Sequence, residues 1–94
     1  MKRAHLICLR EPDEDVLQAI RRIWTEEGAD RIELNDMATL VSHTNGGKSV
    51  YDLIAAELGT LDEEEPFTAL IVRVGAAHHG YESRSLWDWL KENI

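Results

Sequence analysis

Hydrophobic and polar positions along this chain switch between two periods. Residues 4–9 (Ala-His-Leu-Ile-Cys-Leu) are short, apolar and β-compatible, and predict a first strand that Arg10-Glu11-Pro12 breaks. Val16, Ile20, Ile23 and Trp24 then recur at three- and four-residue steps, the signature of one helix face, with Arg21, Arg22, Glu26 and Glu27 mostly off it. Pro12 suits the first position of that helix, Asp13, Glu14 and Asp15 place negative charge at its positive end, and Gly28 supplies a left-handed cap. Alternation from Arg31 to Val41 around Asn35-Asp36 predicts a β-hairpin with strands at 30–34 and 37–42. A corner at 43–47 leads to a second helix opening at Lys48 or Ser49, with Ser49 and Asp52 near capping-box spacing. Val50, Ile54 and Leu58 share its face and Gly59 ends it. After an acidic loop at 60–66, residues 67–75 form a nearly continuous apolar run, the composition of a strand buried on both faces. A helix at 86–94 carries Trp87 and Trp89.

The order β-α-β-β-α-β plus a helix predicts an α+β fold: a ferredoxin-like sandwich in a single domain, 1–94, with two helices on one face of an antiparallel sheet. Right-handed crossovers give strand order 4-1-3-2, which puts the last strand at an edge. That strand is apolar from Ala69 to Val72, and Arg73 is the charge that guards it. Trp87 and Trp89 lie about 200° apart around a helix, so one of them is expected to face outward. Together Leu70, Val72, Trp87 and Trp89 define an expected interface, and a homodimer formed through the last third of the chain.

Charge narrows the range of partners. Ten Lys and Arg against eighteen Asp and Glu give a net charge of −8, with acidic clusters at 13–15, 26–27 and 62–65. Such a surface repels phosphate backbones, so nucleic acid is disfavoured and a protein with a basic surface fits better. The apolar runs are far shorter than the ~20 residues of a membrane span. The run after Met1-Lys2-Arg3 is too short for a signal peptide's apolar region. With one cysteine, Cys8, no intrachain disulfide is possible, and a cytoplasmic setting is the simplest expectation.

The segments 32–41, 70–75, Gly80-Tyr81 and Trp89-Leu90-Lys91-Glu92-Asn93-Ile94 resemble the hairpin, closing strand, Gly-aromatic turn and terminal helix of the SinR-like family. Those small proteins are related in fold to the CRISPR-associated spacer-acquisition endoribonuclease-like subunit and to virulence-associated protein D. The resemblance implies the ferredoxin-like scaffold and often a dimer. It also implies a Tyr-Asp pair at the end of the first strand, whose aspartate is proposed to hold Mg²⁺ or Mn²⁺ in the nuclease-like relatives. This chain has Leu9-Arg10 there, a fixed positive charge in place of the metal ligand. Asp13 and Asp15 are the nearest substitutes, although the helix start already accounts for them.

Other candidate chemistry is sparse. Gly46-Gly47-Lys48-Ser49 sits between a strand and a helix, but Ser42 stands where a phosphate-binding loop needs its first glycine. A glycine turn with a helix cap explains it, leaving a weaker expectation of anion binding at free N–H groups. His43, His78 and His79 invite a metal or proton-transfer site, yet adjacent histidines diverge and no Cys or carboxylate stands at ligand spacing. No resident metal or other cofactor is expected. His5 reads as a satisfied core or edge residue and Trp24 as core. The leading expectation is a non-catalytic dimer that binds a macromolecule. The alternatives are a metal-dependent endoribonuclease using Asp13 or Asp15, and an acidic antitoxin or inhibitor of a nucleic-acid-binding partner.

Overall fold

The computed structural model describes residues 3–26, 31–75 and 84–93. Its elements are β1 (Arg3–Cys8), α1 (Glu14–Glu26), β2 (Arg31–Asn35), β3 (Ala38–His43), α2 (Gly47–Leu58), β4 (Leu70–Arg73) and α3 (Arg84–Asn93). The fold is α+β, with a four-stranded open antiparallel sheet. Hydrogen-bonded neighbours run β2-β3-β1-β4, so β1 and β3 are central and β2 and β4 are edges. Gly28, His78, His79, Gly80 and Tyr81 lie outside the described residues.

Side-chain alternation along the strands splits the core in two. Ile7 of β1 and Val41 of β3 join Val16, Ala19, Ile20, Ile23 and Trp24 of α1 and Val50 and Ile54 of α2 in one buried cluster. Their neighbours Ala4 and Leu40 point the other way, into a cluster with Leu86 and Leu90 of α3. The sheet therefore carries α1 and α2 on one face and α3 on the other. No helix of the described residues is long and apolar enough to cross a membrane.

Local chemistry sets the element ends. Asp13 caps α1: its Oδ1 accepts the Val16 N–H at 3.2 Å. Pro12 thus lies one residue before the cap and not inside the helix. The hairpin turn falls at Asp36-Met37, one residue later than the pattern predicts, because Asn35 Oδ1 accepts the Met37 N–H at 2.8 Å and a bulge between Glu33 and Asn35 shifts the register. The Ser49–Asp52 capping box does not form. The N-cap of α2 is Gly46, without a side-chain cap, Ser49 lies within the first turn, and Asp52 instead accepts from Lys48 at 2.7 Å. Gly59 ends α2 at φ 75°, a left-handed conformation that favours glycine.

Two expectations for the last third of the chain fail. The run at 67–75 is not a strand buried on both faces: β4 is only four residues long, and Leu70 and Val72 are 63% and 40% exposed. Ahead of it, Phe67 is bonded through its backbone N–H and C=O to the Tyr51 hydroxyl, so this segment does not extend the ladder with β1. Nor does either tryptophan of α3 point fully outward. Leu86 and Leu90 form the centre of the buried stripe, and Trp87 and Trp89 flank it about 80° to each side, so both are half-buried against the same cluster.

Candidate functional site

The exposed edge of β4 is the first candidate site. Register pairs Leu6 with Val72 and Cys8 with Leu70, and the Val74 N–H donates to the Ala4 C=O at 2.9 Å. Bonded and non-bonded pairs alternate in an antiparallel ladder. Leu70 and Val72 therefore turn their backbone groups toward β1, while Ile71 and Arg73 turn theirs toward the open edge. The side chains of Leu70 and Val72 lie on the α3 face of the sheet, where α3 packs over Ala4, Leu6, Leu40, Ile32 and Val74. An outward-turned backbone row beside two exposed apolar side chains is a surface suited to strand addition.

The second candidate is a cavity of about 500 Å³ where β1 leads into α1. Arg10, Glu11, Asp13, Asp15, Thr60 and Thr68 supply its polar lining, and Pro12, Val16, Leu58, Pro66 and Phe67 its apolar one. The structure thus brings Asp13 and Asp15 together with Arg10, as neighbours of one hollow. A shallower hollow lined by Cys8, Leu9, Arg10, Thr68, Ala69 and Leu70 shares Arg10 and Thr68 with it, so the concave surface runs on to the β4 edge. Asp13 is partly committed to capping α1, whereas Arg10 and Asp15 form no ion pair among the described residues. The pocket wall by Phe67 was not legible in sequence; only the 16-residue link from Tyr51 reveals it.

The remaining candidates lie around the end of β3 and the start of α2. Gly46, Gly47, Lys48 and Ser49 form the start of α2, and Gly47 packs against Ile71 of β4. His43 meets the Trp24 ring edge-on with centroids 6.4 Å apart, while Trp24 is fully buried and donates from Nε1 to the Ser42 C=O at 2.9 Å. His5 is buried but only half satisfied among the described residues: Nδ1 lies 3.2 Å from the Arg3 C=O, and Nε2 has no partner there. Burial lowers its pKa below the ordinary 6.5; the Arg3 carbonyl opposes this and the nearby His43 and Arg73 add to it. Among the described residues, no group of three His, Cys, Asp or Glu side chains is placed to hold a metal ion. Comparison with family models, curated proteins and solved structures gives no match.

Proposed function

We propose that this chain is a small ferredoxin-like binding protein that works as a homodimer, docking a macromolecule without catalysing a reaction on it. The observation that carries this reading is the β4 edge, with Leu70 and Val72 exposed beside the outward-turned backbone of Ile71 and Arg73. A second copy placed antiparallel about a twofold axis extends the sheet across both subunits and brings Leu70 and Val72 against their counterparts. The net charge of −8 favours a further protein partner with a basic surface. The four-stranded order, read from the β4 edge as β4-β1-β3-β2, supports the ferredoxin-like assignment. A nuclease resembling the CRISPR-associated subunits would need a cation held near Arg10, where Asp13 is already engaged as a helix cap.

Light scattering of the full chain at micromolar concentration tests the dimer. The expected result is twice the chain mass for the native sequence and a folded monomer for Val72→Lys. A native chain that stays monomeric, or a Val72→Lys variant that dimerises as well as the native one, refutes it.

A further inference from the structure

We propose that the cavity at the head of β1 binds a small zwitterion with an apolar side chain: a free α-amino acid of leucine or phenylalanine type. Its carboxylate would meet Arg10, its ammonium Asp15, and its side chain the floor made by Val16, Leu58, Pro66 and Phe67.

The charges argue for both signs on one ligand. Arg10 shares the cavity with Glu11, Asp13 and Asp15, yet pairs with none of them. A simple anion entering here meets three carboxylates. A simple cation is drawn to those carboxylates but leaves the guanidinium unanswered and repelling it. A zwitterion supplies an acceptor for Arg10 and a donor for Asp15 at once, and charge-assisted bonds of this kind are the strong ones. Arg10 has the planar donor set that fits a carboxylate.

The apolar part argues for a side chain of some size. The floor draws on α1, α2 and the segment before β4, and Phe67 is pinned there by Tyr51 through stacking and two hydrogen bonds. Thr60 is likewise anchored, its N–H on the Ala55 C=O at 2.9 Å. Such a wall is preformed, which lowers the ordering cost of binding. A volume of about 500 Å³ lies within the range of small-molecule sites, and its lining is mixed, with an apolar part at Pro12, Val16, Leu58, Pro66 and Phe67 beside charged and hydroxyl groups. The site is complete in one chain, so it does not depend on the proposed dimer.

Titration calorimetry and amide chemical shifts on the full chain provide the test, with L-leucine and L-phenylalanine as probes. Phenethylamine and hydrocinnamate, each lacking one charge, are the comparators. The expected result is saturable binding of the amino acids with shifts at Arg10, Thr60 and Thr68. Each one-charge analogue, and each of Arg10→Gln and Asp15→Asn, should bind about ten- to a hundredfold more weakly. Lys48→Ala, in the first turn of α2 and outside the cavity lining, should bind as the native chain does. Absence of saturable binding, equal binding of a one-charge analogue, or native affinity in a folded Arg10→Gln variant overturns the proposal.

Discussion

Tyr51 grips Phe67 in three ways. The rings stack with centroids 4.2 Å apart and planes 10° from parallel, the Tyr51 hydroxyl donates to the Phe67 C=O at 2.5 Å, and it accepts the Phe67 N–H at 3.3 Å. One side chain of α2 thereby fixes the stretch that leads into β4 and forms a wall of the cavity. Tyr51→Phe keeps the stack and removes both bonds. We expect a loss of about 1–2 kcal/mol in denaturant unfolding, and faster hydrogen exchange at the Phe67 amide. Unchanged exchange at Phe67 would show that the segment is held by something other than this hydroxyl.

His5 predicts a pH dependence with a definite sign. Its folded pKa is lowered, chiefly by burial, so between the folded value and the ordinary 6.5 the unfolded chain binds a proton that the folded chain does not. Stability is therefore full above about pH 6.5 and falls as the pH drops from there toward the folded pKa. Arg73 and His43 facing it reinforce the direction. In His5→Leu the unfolding free energy should lose part of its decline between pH 7 and pH 5, whatever the variant's stability at neutral pH. A decline identical to that of the native chain would remove His5 as its source. Glu33, held below its ordinary value by its hydrogen bonds from Arg21, contributes in a separate window, since its stabilisation is lost only as pH falls below 4.5.

Periodicity exposed most of the secondary structure because each element carries its own signal. The three- and four-step pattern from Val16 to Trp24 marks a face that is wholly buried, and Gly59 marks the end of α2. What the pattern hid are relations between elements. The connection order already puts the last strand at an edge, but an apolar composition at 67–75 does not say how much of the run pairs or is covered: four residues form β4, and Leu70 and Val72 stay exposed. Spacing alone places Trp87 and Trp89 on opposite sides of a helix, but which side is buried depends on Leu86 and Leu90, which put both indoles at the flanks. Asp13 and Asp15 were visible as charges at a helix start, while their meeting with Arg10, Thr60 and Phe67 in one cavity joins segments some fifty residues apart in sequence.

The two ends of α2 should respond in opposite directions to substitution. Gly59, at φ 75°, accepts a side chain only with strain although nothing crowds the position. Gly59→Ala should cost about 1 kcal/mol. Gly46, at φ −78° and ψ 180°, already has the extended backbone of a helix N-cap and lacks only a side-chain acceptor. Gly46→Asp should stabilise by about 0.5 kcal/mol, by capping and by placing negative charge at the helix's positive end. Thermal unfolding of the two single variants checks both signs.

The proposed pairing of β4 with a second copy makes a residue-level prediction. Because the Val74 N–H bonds to Ala4 and the ladder alternates, the amides that face the open edge are those of Ile71 and Arg73, while Leu70 and Val72 already face β1. Dilution should therefore speed hydrogen exchange at Ile71 and Arg73 and leave Leu70 and Val72 nearly unchanged. Packing through α3 alone would leave exchange at Ile71 and Arg73 independent of concentration. Salt gives an independent check. Each copy carries a net −8 and an acidic stretch at 62–65 ahead of β4, so added salt should screen the repulsion between copies and strengthen association, with little effect on the apolar contact of Leu70 and Val72. If salt instead dissociates the pair, attraction between unlike charges holds it, and the contact lies elsewhere than this edge.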